Sequence, residues 1–186
     1  TVTASDWDGN PLTYSAANLP AGSTFDPATR IFTWTPTYEQ AGTYPDIHFE
    51  VSDGTTLDSE DITITVNSVN RSPVLNAIGN KSVEENETLT FAVTGSDPDG
   101  NSLTYSASNL PEGAVFNPLT QIWTWTPSYE QAGTYADVHF EVSDGFELDF
   151  EDITITVNSV NRAPILNVIG NKSVDENETL TLTVAG

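Results

Sequence analysis

Neither cysteine nor methionine occurs anywhere in the 186 residues. Without cysteine the chain has no disulfides and no thiolate metal sites. The lack of Met, even at position 1, gives the expectation of an internal piece of a longer chain. Bases are nearly absent as well: five Lys and Arg stand against 27 Asp and Glu, for a net charge of -22. So few cations exclude nucleic acid, whose phosphates need Lys and Arg, and anionic membrane surfaces. No apolar run approaches the about 18 residues of a membrane helix, so no membrane insertion is expected. A helical period of useful length is missing too. The acids are spread along the whole chain, which suits cation binding and solubility in salty surroundings.

What is present is repetition. Val2–Asn10 (VTASDWDGN) returns as Val93–Asn101 (VTGSDPDGN), an offset of 91 residues. At this offset 52 of the 70 positions in 1–70 are identical, and all ten of 61–70 are. A period this long is a whole domain rather than one turn of a solenoid. Residues 1–70 are expected to be repeat one without its opening strands, 71–161 a complete repeat two, and 162–186 the opening strands of repeat three.

Alternation with period two runs through both repeats. Ile153, Ile155 and Val157 share one strand face and the intervening threonines the other. Val138, Phe140 and Val142 point in, while His139 and Glu141 point out. Turn signals divide these runs: Asp97-Pro-Asp-Gly-Asn, Leu110-Pro-Glu-Gly, Asn117-Pro, Gln131-Ala-Gly and Asp144-Gly. In repeat two this predicts strands near 73–78, 87–95, 102–108, 113–116, 121–126, 134–143 and 146–158. Short strands in this number predict an all-β fold of tandem antiparallel two-sheet sandwiches. Phe116, Trp123, Trp125, Tyr135, Phe140, Val142, Ile153 and Ile155 are its expected core.

The repeat resembles the cadherin-like domains of the dystroglycan type and the related putative-Ig repeats of microbial surface proteins. The resemblance rests on Ser96-Asp-Pro-Asp-Gly-Asn-Ser-Leu-Thr-Tyr105, Trp125-Thr-Pro127, Gly133-Thr-Tyr135, Val142-Ser-Asp-Gly145 and the linker Asn158-Ser-Val-Asn-Arg-Ala-Pro164. It implies an extracellular or cell-surface location. It also implies Ca²⁺ between successive repeats, with Glu39, Asn70, Asp97, Asp99 and Asp144 as ligands at the first junction. Two departures stand against this. Arg71 and Arg162 occupy the linker position of an expected Asp, and Thr37 and Ser128 replace an expected acid. Either Ca²⁺ or a salt bridge from the linker arginine to Asp97, Asp99 or Glu39 would hold the hinge.

Other patterns carry weaker signals. Asp137, His139 and Glu141 alternate like metal ligands or like a solvated face. Trp123 with Trp125, or Phe32 with Trp34, form either core or a sugar platform. Glu151 and Asp152 are strand neighbours, so they face opposite ways and cannot act as a carboxylate pair. No nucleophile–base constellation is visible, and the chain is not expected to be an enzyme. Asn80, Asn86, Asn171 and Asn177 begin Asn-x-Ser/Thr sequons.

The expected function is a structural or adhesive extracellular array, a stalk or a filament subunit. Its expected partners are copies of itself or adjacent repeats joined head-to-tail, with 162–186 of one unit completing 1–70 of the next. Surface glycans or proteins are further candidates. The alternative is a carbohydrate-binding or spacer module of a secreted enzyme.

Overall fold

The computed structural model describes residues 1–184. Its contacts divide the chain after Asn70 into two units, Thr1–Asn70 and Arg71–Gly186.

Unit 1 contains β1 (Thr13–Ala17), β2 (Thr24–Asp26), β3 (Ile31–Thr33), β4 (Gly42–Ser52) and β5 (Leu57–Val66). Strand β4 is central in the antiparallel sheet β1–β4–β5, and β2 and β3 form a separate hairpin. A 3-10 turn at Tyr38–Gln40 is closed by the N–H of Thr37, which donates to Gln40 Oε1 at 2.9 Å.

Unit 2 contains β6 (Val74–Leu75), β7 (Lys81–Glu84), β8 (Leu89–Ala92), β9 (Gly95–Ser96), β10 (Thr104–Ser108), β11 (Val115–Asn117), β12 (Ile122–Trp125), β13 (Gly133–Ser143) and β14 (Leu148–Asn158). One sheet runs β10–β13–β14–β7 and the other β11–β12–β8, with β6 paired to β9. Strand β7 lies parallel to β14, pairing Lys81 with Ile155 and Glu84 with Asn158. The fold is the all-β sandwich that the alternation predicts.

Its core is made by alternation on both sheets. Trp123 and Trp125 from β12 meet Val138, Phe140 and Val142 from β13 and Ile153, Ile155 and Val157 from β14. Phe116 and Tyr135 pack against this cluster from partly buried positions. Phe140 meets Phe91, Phe116 and Trp123 edge-on, with ring centroids 5.5 to 5.9 Å apart.

Strict alternation would place Tyr135 and Val138 on opposite faces. A β-bulge between them absorbs the extra residue, so both serve the core. Asp137 takes the left-handed conformation there (φ 58°), and Asn109 Nδ2 donates to its carbonyl at 2.8 Å. Unit 1 repeats the device at Asp46 (φ 58°), with Asn18 Nδ2 on the Asp46 carbonyl at 2.8 Å.

Two details differ from the sequence-based strands. The predicted strand at 87–95 is two short ones, β8 and β9, which pair with different partners. Strand β7 falls between predicted elements. Unit 1 has no counterpart of β6, β7 or β8, and among its described apolar residues only Ile47 and Pro20 are buried. Residues 162–184 form no strand and are exposed, including Leu166, Ile169, Leu180 and Leu182.

Candidate functional site at the repeat ends

The opening end of unit 2 is organised by Asp97. Its Oδ1 accepts the N–H groups of Asp99 and Asn101 at 2.8 and 2.9 Å, which folds the Asp97-Pro-Asp-Gly-Asn turn. That turn presents Asp99 to Arg71. Oδ2 of Asp99 accepts the backbone N–H of Arg71 at 2.7 Å, and Oδ1 accepts Nε and Nη2, each at 2.8 Å. Nη2 also donates to the Pro98 carbonyl at 2.7 Å. The Arg71 side chain first, and its backbone N–H second, hold the Asp99 carboxyl below its ordinary 3.8, while the negative charge of Asp144 works the other way. Asp144 Oδ1 accepts the N–H groups of Phe146 and Glu147, each at 2.7 Å.

Within unit 2 the Asp99 carboxylate is engaged rather than left open. Both oxygens of Asp99 are occupied by Arg71. Among the described residues no group of three or more His, Cys, Asp or Glu is arranged to hold a metal ion. Asp97 Oδ2 is buried without a hydrogen-bond partner among the described residues. Glu39 and Asn70 lie in unit 1, both on exposed residues.

The closing end of unit 2 uses the second linker arginine. Arg162 Nη2 lies 3.5 Å from Glu130 Oε1, and the guanidinium sits 4.5 Å over the Tyr129 ring. Beside it, Glu85 is only 4% exposed and accepts the Val160 N–H at 2.8 Å. Its own N–H donates to the Asn158 carbonyl at 3.0 Å, continuing the β7–β14 ladder into the linker. Sequence reasoning missed Glu85. Its signal was Val83-Glu-Glu-Asn, which recurs as Val174-Asp-Glu-Asn at the 91-residue offset.

The remaining candidates lie elsewhere. Asn80, Asn86, Asn171 and Asn177 are all exposed. Asn80 accepts the Thr154 N–H through Oδ1 at 2.8 Å, which leaves its Nδ2 out of that contact. Trp123 and Trp125 are sealed in the core, so they form no sugar platform. His139 Nδ1 meets Asp152 Oδ1 at 2.7 Å, with Glu141 at 3.9 Å from Nε2. Unit 1 repeats this with His48, Asp61 and Glu50 at 2.7 and 4.0 Å. Glu151 does face away from Asp152: its oxygens accept the N–H groups of Ile78 and Gly79 at 2.6 and 2.9 Å.

Among solved structures, the chain resembles human protocadherin-24 EC1-2, with a TM-score of 0.54 and 18% identity over 86% of this chain and 87% of that one. It also resembles protocadherin gammaB7 EC3-6, with a TM-score of 0.51 and 14% identity over 83% of this chain and 43% of that one. At these identities the likeness is one of fold. Chitinase A of Pseudoalteromonas piscicida is 31% identical over 157 residues, covering 83% of this chain and 19% of the chitinase. Integrin beta-like protein B of Dictyostelium discoideum is 30% identical over 119 residues, covering 54% of this chain and 6% of that protein. This chain therefore spans a fifth or less of the curated relatives it matches. A family profile described as "Putative Ig domain" matches residues 1–67 and again 72–159. The chain belongs to the Putative Ig domain family.

Proposed function

We propose that this chain is a segment of an extracellular, non-catalytic array that spaces or attaches, built from Ig-like repeats that exchange or share opening strands. One observation carries the proposal. Strands β7 and β8 cover the Trp123–Phe140 core of unit 2, and unit 1 has no such cover. Residues 162–186 repeat 71–95 at 18 of 25 positions, and the described part of them is exposed. A segment of this type, from an adjacent repeat or from another copy, would complement the apolar face of unit 1 as β7 and β8 do that of unit 2. Burying Leu166, Ile169, Leu180 and Leu182 in that way would remove apolar surface from water.

The linker arginines serve as fasteners in this proposal. The Arg71 guanidinium and backbone N–H together engage both oxygens of Asp99, which fixes direction as well as distance. The acidic surface suits a chain that must remain soluble outside the cell. The matched segments make up 19% of the chitinase and 6% of the integrin-like protein, which is consistent with a spacing role here.

Sedimentation of the chain, with and without a competing peptide of sequence 162–186, tests the assembly. Concentration-dependent association that the peptide blocks is expected. A monomer at all concentrations, with its tail resistant to protease, would refute strand sharing. Antibodies to the chain should label intact producing cells without permeabilisation, and labelling only after lysis would refute the extracellular location.

A further inference from the structure

Over the last 18 positions of the repeat, the two copies differ in one cluster. Between Asp53–Asn70 and Asp144–Asn158 with its linker, 15 of 18 positions are identical. The three exceptions all lie in or beside the β13–β14 hairpin: Thr55, Thr56 and Ser59 become Phe146, Glu147 and Phe150. Phe146 and Phe150 are 83% and 54% exposed, and Leu148 between them is 49% exposed. Leu148 and Phe150 are alternate residues on one outward face of β14, and Phe146 stands exposed in the turn that leads into it. The fold does not require them, because unit 1 forms the same hairpin and the same pairing with threonine and serine there.

The apolar stripe has a polar border laid out by strand register. Leu148 pairs with Ser143, Phe150 with Glu141 and Asp152 with His139. On the next strand Ser143, Glu141 and His139 pair with Thr104, Ser106 and Ser108. The His139 ring lies beside Phe150, with centroids 5.2 Å apart. Its Nδ1 is fixed by Asp152 at 2.7 Å, which holds the ring at the edge of the stripe. The face therefore offers phenyl rings next to a row of carboxylate, imidazole and hydroxyl groups.

We propose that this outer face of unit 2 is a binding platform for a neutral polysaccharide. A sugar ring has an apolar face of C–H groups and a rim of hydroxyls. The first matches the phenyl surfaces and the second matches Glu141, His139, Asp152 and the serines. Charge selects the class of ligand. Glu141, Glu147 and Asp152 repel an anionic polymer. Area decides against a folded partner. Two phenylalanines and a leucine present at most ~500 Å², short of the ~800 Å² per partner of a stable protein interface.

The test is affinity electrophoresis of the intact chain in gels holding soluble neutral glucans, xylan or galactomannan, with pull-down on cellulose and chitin. The double variant F146T/F150S installs the unit 1 residues and, being outward-facing, should leave the circular dichroism and melt unchanged. The expected result is retention by at least one of these polymers and a loss of about tenfold or more in affinity for the variant. The reciprocal variant T55F/S59F should strengthen retention. Retention by no polymer, or equal retention of chain and double variant, overturns the proposal. A change in oligomeric state on F146T/F150S without any polymer binding also overturns it and assigns the face to a protein partner.

Discussion

Phe140 and Phe49 occupy equivalent positions in the two repeats, yet their surroundings differ. Phe140 is fully buried and touches Phe91 of β8 as well as Phe116 and Trp123. Phe49 is half-buried, and its ring neighbours are Phe25 and Phe32 at 5.5 and 6.1 Å. Truncating a sealed phenylalanine costs about 4 kcal/mol, as transfer and cavity terms add. Phe49 is already partly wet and leaves no closed cavity, so Phe49→Ala should cost about 2 kcal/mol. In domains of this size each kcal/mol moves the midpoint by roughly 4–8 °C. The two variants should thus differ by roughly 8–16 °C in the transitions of their own units, read by calorimetry. Adding the 162–186 peptide should narrow that gap, because it supplies the cover that Phe91 belongs to in unit 2. Equal losses for the two variants, within about 0.5 kcal/mol, would show that unit 1 is already covered and would refute the open-core argument.

The hinge arginine gives a pH test. Asp99 titrates below its ordinary 3.8 because Arg71 holds it, so its stabilising contribution is complete above that value and is lost as pH falls through the lowered one. Arg71→Ala should therefore destabilise unit 2 at neutral pH, with the difference from the parent chain vanishing in strong acid, as followed by pH-dependent melts. Chelation with EDTA should leave the melt of the intact chain unchanged, and a drop on chelation restored by Ca²⁺ would show that a metal holds the linker instead. Glu85→Leu should cost about 1–3 kcal/mol through the orphaned Val160 N–H and speed hydrogen exchange at Val160, measured by NMR.

The repeat, the sandwich and most of the core were legible because they depend on sequence identity and period-two alternation. Strand β7 was not. Lys81-Ser-Val-Glu offers one apolar residue, Val83, and owes its strand to parallel pairing with β14, more than 70 residues away. The outward stripe was hidden for a different reason. Phe146, Leu148 and Phe150 alternate as a core strand would, but the apolar phase flips before Ile153. Only the register with β13 shows that the first half faces solvent. At the site, an Arg71 contact to Asp97, Asp99 or Glu39 was one of two expectations, raised by an arginine at a linker position where the resemblance expects Asp; the structure has Asp99. Glu85 was not foreseen, because the recurrence of Val83-Glu-Glu-Asn as Val174-Asp-Glu-Asn marks the segment without marking which acid is buried.

The parallel pairing of β7 with β14 also sets how unit 2 meets mechanical load. The chain enters β7 at Lys81 and leaves β14 at Asn158, and the two strands run the same way. Tension applied through the two linkers would first peel the two-residue β6–β9 pair. It would then slide β7 against β14, loading their hydrogen bonds side by side rather than one after another. Strands torn in shear yield at higher force than strands unzipped from an end. The short β7, with its Glu85 extension onto Asn158 and Val160, is thus the mechanical clamp of the repeat.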